Sequence, residues 1–405
     1  MNESQRNTGK GDISSLKRKI KTAVDKKTLL RNKKELISYF EKRTSKLKIV
    51  KTTRTPGGQI LDWIDINSQV RNGKIASPPP LEMIKAPAGR MKDTLSVFEL
   101  EKKGIAKGPE GTVPVLRKDV RKINYSKSLK SYLSKYERET RSVFKGNEHV
   151  IEVPGDGAHD YANTYQYVTC YGGEFACSAF DPYTQYSNEF SLLQIALVRG
   201  SGNSRQTLEA GWQAYKDLYG DWQPHLFVYY TTNNYTSSGD NKGGYNRDVD
   251  GWVQYSSSIY PGATFTPYSV RGGSQRFMQF KYQLYQGNWW LKVNNQWIGY
   301  YPASLYSTSG LRSKADKIAF YGEIVDSANH AGLTRTDMGS GYWPEYRWKW
   351  AAYMRNLKYQ SSTGGSMSNY NGTSNASDPG QYDLETHMNS GSTWGSYMWL
   401  GGPGA

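Results

Sequence analysis

From Tyr165 onward the chain reads as a series of strand-length runs cut short by turn residues, with no helical period between them. The runs fall at 165–169, 190–198, 207–215, 225–231, 251–255, 277–285, 289–293, 296–300, 317–325 and 350–357, and 397–400 fits a last strand. Gly200-Ser201-Gly202-Asn203, Asn233-Asn234 and Val293-Asn294-Asn295 supply turns between them. So many short strands without crossover helices predict an all-β domain, a sandwich or jelly roll. The Ser/Gly/Asn-rich stretch 361–380 reads as a loop.

Charge and aromatics separate this region from what precedes it. Residues 1–150 carry 35 Lys and Arg against 16 Asp and Glu, whereas residues 151–405 carry 17 against 20. Eleven of the twelve Trp follow residue 150, and only Trp63 precedes it. The composition changes near Glu152-Val153-Pro154-Gly155-Asp156-Gly157. The expected organisation is therefore a basic helical extension over 1–50, a mixed α+β basic segment over 51–150 and a β domain over 151–405.

Within 12–48, Ile13, Leu16, Ile20 and Val24, then Leu30, Leu36, Ile37 and Phe40, predict one or two amphipathic helices with a basic face. A nucleic-acid or anionic-membrane arm and a solvated accessory helix both fit. The second is favoured because no aromatics interleave with the charges. Ser77-Pro78-Pro79-Pro80 and Ala86-Pro87-Ala88-Gly89 mark an extended arm, and 125–146 is a further Lys/Arg-rich stretch with helical character. No 18-residue apolar run is present, so no membrane-spanning helix is expected. No signal-peptide apolar region is visible in the first 30 residues, which leaves the compartment unassigned. Cys170 and Cys177 either pair across Tyr171-Gly172-Gly173 or stay free. Neither they nor the five His match a metal pattern, so no metal or cofactor is expected.

Two of the apolar runs each hold one glutamate: Thr207-Leu208-Glu209-Ala210-Gly211-Trp212 and Phe320-Tyr321-Gly322-Glu323-Ile324. A carboxylate in an apolar strand is costly unless something uses it. Strand alternation puts Glu209, Gly211 and Gln213 on one face, Tyr321 and Glu323 on one face, and Gln194 with Leu192, Ala196 and Val198. Small neighbours (Gly211, Gly322, Ala196) would leave room beside these groups. A sheet face joining them would be a polar cleft; solvent-side positions on half-exposed strands are the plain alternative. Two close carboxylates share a proton at mildly acidic pH, which suits hydrolysis of peptide bonds or of glycosides.

In order along the chain, a set of stretches resembles the neprosin family of glutamic peptidases. They include Ala158-His159-Asp160-Tyr161-Ala162, Tyr171-Gly172-Gly173-Glu174-Phe175-Ala176, Glu189-Phe190-Ser191-Leu192-Leu193-Gln194-Ile195 and Leu208-Glu209-Ala210-Gly211-Trp212-Gln213. Gly287-Asn288-Trp289-Trp290-Leu291, Ile298-Gly299-Tyr300-Tyr301-Pro302, Tyr321-Gly322-Glu323-Ile324-Val325, Met338-Gly339-Ser340-Gly341 and Leu400-Gly401-Gly402-Pro403-Gly404 continue it. Pro56-Gly57-Gly58-Gln59-Ile60-Leu61-Asp62-Trp63 and Gly108-Pro109-Glu110-Gly111-Thr112-Val113-Pro114-Val115 resemble the family's prosegment. Plant members carry cysteines where this chain has Trp63, Gly108 and Gln381, so the resemblance implies a fold held without those disulfides.

The resemblance implies a curved antiparallel β-sandwich and a glutamic-type endopeptidase with Glu209 and Glu323 as catalytic pair and no metal or cofactor. It also implies a preference for cleavage after proline, and an extracellular setting. Gln194, Gln213 and Tyr321 are the candidates for orienting water and oxyanion, and Trp212, Trp290 and Tyr300 for lining subsites. The basic N-terminal part is expected to dock on the chain's own cleft as a zymogen cover that acid releases. A carbohydrate-active or carbohydrate-binding sandwich is the competing class, since many aromatics suit sugar stacking.

Overall fold

Two antiparallel sheets stack through a shared aromatic core, and the register within them decides which side chains meet. One sheet runs, in spatial order, Gly243–Tyr245, Pro224–Thr231, Gln206–Tyr215, Phe190–Arg199, Ala315–Asp326, Ala158–Cys170 and Thr373–Ala376. The other has as its main path Val253–Gln254, Gln296–Pro302, Asn288–Val293, Gln275–Tyr285, Gly172–Ser178, Ala352–Gln360, Tyr397–Gly401 and Asp383–His387. This computed structural model describes residues 26–71, 73–81, 93–123, 125, 127–135, 140–145, 149–154, 158–327, 334–391 and 393–404, with backbone alone at 140–145, 149–154 and 158. The all-β expectation holds for the region after residue 158.

Local chemistry explains the hairpins. Gln286 and Gly287 both take left-handed backbone (φ 46° and 73°) between Tyr285 and Asn288, which directly oppose each other. Two consecutive positive φ values match the twist of a two-residue hairpin. Asn294 makes the next reversal at φ 52°. Between the sheets, Phe175 stacks on Phe280 at 5.1 Å and meets Phe320 at 5.6 Å. Trp212 crosses the same layer and donates from Nε1 to the Ser178 carbonyl at 2.9 Å.

Several expectations need correction. The stretch 361–380 is not all loop, because Met367–Asn369 and Thr373–Ala376 are edge strands on Ala352–Gln360 and Ala158–Cys170. They are largely exposed and held by backbone pairing, so they leave no apolar pattern to read. The strand expected at 251–255 shrinks to Val253–Gln254. Among the described residues of 125–146 the helix is Leu129–Leu133, capped by Ser128, and Thr140–Lys145 pairs with His149–Pro154. That hairpin spans the compositional change expected near residue 151. Cys170 and Cys177 are buried and free.

The N-terminal part is mixed, as expected. A helix runs Lys26–Ser45 with Leu36 and Phe40 buried; Ile13, Leu16, Ile20 and Val24 lie outside the described residues. Strands Ile49–Arg54, Ile60–Asp65 and Thr112–Leu116 form a small sheet around Trp63. Trp63 donates from Nε1 to Thr53 Oγ1 at 2.8 Å, and a Cβ on Gly108 would come within 2.4 Å of its ring. Two of the three positions that the resemblance matches to cysteine are thus filled here by an indole and the space beside it.

This part is joined to the sandwich at several points. Tyr39 Oη donates to the Asp248 carbonyl at 2.7 Å, and Arg43 pairs with Asp240 (2.6 Å) and Asp250 (2.8 Å) of the loop beyond Pro224–Thr231. Strand Asp93–Leu95 adds in parallel to Gln275–Tyr285. There Asp93 accepts from Tyr353 Oη and from Arg355 Nη2, the latter at 2.9 and 3.2 Å. Arg355 is buried among Phe277, Tyr353 and Trp394. Asp93→Ala would strand that guanidinium, and breaking one side of a buried pair costs about 3–5 kcal/mol. Chemical denaturation should show a clearly lower midpoint for D93A; an unchanged midpoint would mean that the pair adds nothing to stability.

Candidate active site

Register brings the two glutamates to one face. Ala196 opposes both Glu209 and Ala319, while Leu192 opposes both Gln213 and Glu323. Directly opposed residues on antiparallel strands point the same way. Glu209 and Glu323 therefore stand two strands apart, four positions out of step, on the sheet face turned away from the core. Gln194 lies between them, opposing Gly211 and Tyr321.

Neither carboxylate is exposed to solvent. Glu209 Oε1 accepts from Tyr235 Oη (2.6 Å) and Thr207 Oγ1 (2.7 Å), and Oε2 accepts from Gln194 Nε2 at 3.0 Å. Glu323 Oε1 lies 2.7 Å from His159 Nδ1. The remaining oxygens converge on one cation. Lys135 Nζ is 2.8 Å from Glu209 Oε2, 2.9 Å from Glu323 Oε2 and 3.3 Å from Gln194 Oε1, with the Tyr321 ring at 5.9 Å. Lys135 is itself buried, just past the Leu129–Leu133 helix. A single ammonium bridging the pair means that a water could bridge it too.

Electrostatics follow from this packing. Burial alone would raise the Glu323 carboxyl, but the Lys135 ammonium and His159 outweigh it and hold its pKa at about 2. Burial would likewise lower Lys135, and the charges of Glu209 and Glu323 reverse that to a raised value. The Tyr235 phenol is pushed well up, by burial and then by the Glu209 charge, so it stays a donor.

The remaining sequence candidates divide. Gln194 and Tyr321 are in the site. Gln213 sits in the Glu323 row and donates to Tyr245 Oη at 3.4 Å, one strand removed from the ammonium. Trp212 faces the opposite way, into the inter-sheet core. Trp290 and Tyr300 pack with Val253 and Trp297 in the other sheet, on a separate cluster. The structure does not bring these three aromatics to the pair, because alternation turns Trp212 inward and the other two belong to the second layer.

The small neighbours also do different work. A Cβ on Gly211 would lie 1.9 Å from the Leu193 carbonyl, and one on Gly322 would strike Leu400 and Met338 on the core side. Only Ala196, with Ala319, floors the cleft beside the carboxylates.

Sequence reasoning missed Lys135, His159, Thr207 and Tyr235 as site residues. Thr207 was legible, two residues from Glu209 on its strand. Tyr235 was not: it reaches Glu209 from a loop whose Asn234 and Tyr235 both take left-handed backbone (φ 54° and 60°). That conformation is unusual for a bulky residue, and Thr231 Oγ1 holds it by accepting from the Tyr235 amide at 3.0 Å.

Among the described residues no cluster of metal-ligating side chains occurs, and no helix is long and apolar enough to cross a membrane. A family model described as Neprosin matches residues 187–403. Among solved structures, the chain is similar to scytalido-glutamic peptidase bound to a peptide-based transition-state analogue, at 9% identity and a TM-score of 0.32, covering 60% of this chain and 98% of that one. It is similar to SCP-B, a member of the Eqolisin family of peptidases in complex with the tripeptide Ala-Ile-His, at 9% identity and a TM-score of 0.28, covering 61% and 98%. Sheep galectin-11 in complex with glycerol matches at 14% identity and a TM-score of 0.23, covering 40% and 90%. Structural likeness at these scores carries nothing about activity.

Proposed function

This chain belongs to the neprosin family, and from that premise we propose that it is a glutamic-type endopeptidase whose cleft is closed by its own Lys135. One observation carries the reading: Glu209 and Glu323, far apart in sequence, share a single buried ammonium. The ammonium sits where a water and a substrate carbonyl would have to enter. Residues preceding the sandwich then act as a prosegment and 151–405 as the catalytic domain. Cleavage after proline is the preference expected of this family.

The surroundings favour one division of roles once Lys135 withdraws. Glu323 keeps His159 beside it, a partner able to carry positive charge, so Glu323 is the anion and general base. Glu209 keeps two hydroxyls and an amide, and hydroxyls can accept as well as donate, so its protonated form is tolerated. Glu323 takes a proton from water as the oxygen bonds to the peptide carbon. Protonated Glu209 donates a hydrogen bond to the carbonyl oxygen, and Gln194 and Tyr321 border the same space. The C–N bond breaks as the proton held by Glu323 passes to the amine.

The same geometry makes closure depend on acid. Glu323 has a lowered value, about 2 against an ordinary 4.5, in the closed form. The stability it lends is fully present above about 4.5 and is lost as pH falls toward 2. Lys135, whose value is raised, holds its contribution up to the ordinary lysine range, so below that range acid alone opens the site. Holding the full-length chain near pH 4 should yield a stable fragment starting between about residues 130 and 160 by mass spectrometry. It should then cleave Pro-containing peptides and leave a glycan panel untouched over pH 3–8. Intact chain throughout, or glycan turnover, would sink the proposal.

A further inference from the structure

The cleft face extends beyond the glutamates, in the direction away from Glu323. Register places Thr207, Val198, Lys317 and Tyr167 in one row, next to the row of Glu209, Ala196, Ala319 and Tyr165. These side chains share the outer face with the glutamate pair. The floor between them is Ala196 and Ala319, with Val198 and Tyr165 packed against it. On the two central strands the row between the pair and the far row is alanine alone, while at one edge Tyr235 Oη lies 2.6 Å from Glu209 Oε1 and 3.3 Å from Thr207 Oγ1.

That row ends in a held cation. Lys317 Nζ lies over the Tyr165 ring at 4.5 Å and the Tyr167 ring at 5.2 Å, and the two rings meet edge to face at 5.7 Å. Tyr167 is 74% exposed, so the cradle is open in the closed form of the chain. Among the described residues no carboxylate pairs with Lys317. Burial, and then the Arg205 guanidinium, hold its ammonium below the ordinary lysine range. Arg205 is exposed and shares the strand parity of Thr207 and Glu209. Aromatic faces attract an ammonium without neutralising it. The charge is therefore positioned and still available.

We propose that Lys317, cradled by Tyr165 and Tyr167, is a carboxylate-binding subsite that selects peptide substrates with an acidic group about four residues from the scissile bond. The spacing follows from strand geometry. The Lys317 row lies roughly 7 Å along the strands from Glu209 and roughly 20 Å from Glu323, so an extended peptide starting midway reaches it in about four residues. The carboxylate comes from an Asp or Glu side chain or from a free C-terminus. The subsite rests on the peptidase reading for its role in turnover, but its ligand chemistry does not.

The test is a series of Pro-containing peptides with Glu, Gln or Lys at each position from two to six residues on either side of the cleaved bond. Parallel sets carry cysteate, or a free or amidated C-terminus. kcat/KM is measured on the acid-treated chain for wild type, Lys317→Glu and the milder Lys317→Met. In wild type above about pH 5, Glu should outpace Gln by about three- to tenfold at one register. Near pH 3 that preference should fade while the cysteate peptide keeps it, since a sulfonate stays ionised. K317M should level Glu and Gln, and K317E should favour Lys. A preference that requires only the free C-terminus assigns the carboxylate to the peptide's end. Equal rates for Glu and Gln at every register, or an unchanged preference in both variants, overturn the subsite. If no peptide is cleaved, the peptidase reading has failed. Anisotropy of the same labelled peptides on the intact chain, where Tyr167 is open, then decides the subsite by the same Glu-against-Gln and wild-type-against-variant comparison.

Discussion

Glu323→Gln should abolish peptide hydrolysis, lowering kcat/KM by about four orders of magnitude or more, because glutamine cannot take a proton from water. Glu209→Gln should be less complete, on the order of a hundred- to thousandfold, since a glutamine amide can still donate a hydrogen bond to the substrate carbonyl. The two variants should also differ in pH dependence. With Glu323 as base and Glu209 as acid, wild-type activity falls at low pH as Glu323 protonates and at high pH as Glu209 ionises. E209Q should lose the high-pH fall and keep the low-pH one. The buried hydrogen bonds of Glu209 make this more than a mirror image: Thr207 and Tyr235 can both reorient to a neutral amide, whereas Glu323 faces His159 and Lys135. Full activity in both variants, with folding verified by their unfolding transitions, removes the pair from the mechanism. A high-pH fall lost from E323Q instead would exchange the roles.

The pair was visible in the sequence because each glutamate interrupts an apolar run, and alternation already gave each a face. What alternation cannot supply is which strands lie side by side. Glu209 and Glu323 meet because Phe190–Arg199 pairs with both of their strands, a long-range choice fixed by the whole sheet. The same gap explains Trp212 and Trp290: their strands were legible, but the layer each ring enters was not. His159 was in a stretch that carried the family resemblance, and nothing in the local pattern tied it to Glu323. Lys135 was hidden most thoroughly. It is one lysine in a stretch rich in Lys and Arg, and only its burial separates it from its neighbours. Composition pointed to a diffuse attraction between a basic segment and an anionic cleft. Much of the contact that matters is local: one ammonium on two carboxylates, one Arg43 between Asp240 and Asp250, and one Asp93 on Arg355.

Lys135→Met is the substitution that isolates that contact. Methionine fills nearly the same volume and removes the charge, leaving two buried carboxylates facing each other with no shared counter-ion. Breaking a buried pair from one side costs about 3–5 kcal/mol, here drawn from the closed form. The carboxylates can respond by sharing a proton, which means a raised apparent pKa for the pair instead of the lowered value Glu323 now has. Closure that wild type loses only below about pH 4.5 should then be lost about two to three and a half pH units higher, because each unit corresponds to about 1.4 kcal/mol. The readout is the pH at which half the full-length chain converts to the fragment, together with peptide turnover near neutrality, where wild type should be silent. Lys135→Arg keeps the charge but not the compact ammonium, and should fall between the two. Adding Glu323→Gln to K135M restores a neutral partner for Glu209 and should recover part of the lost thermal stability while leaving the chain inactive. A K135M chain that stays intact and silent at neutral pH, with the wild-type midpoint, would show that closure depends on the Arg43 and Asp93 anchors and not on the ammonium between the glutamates.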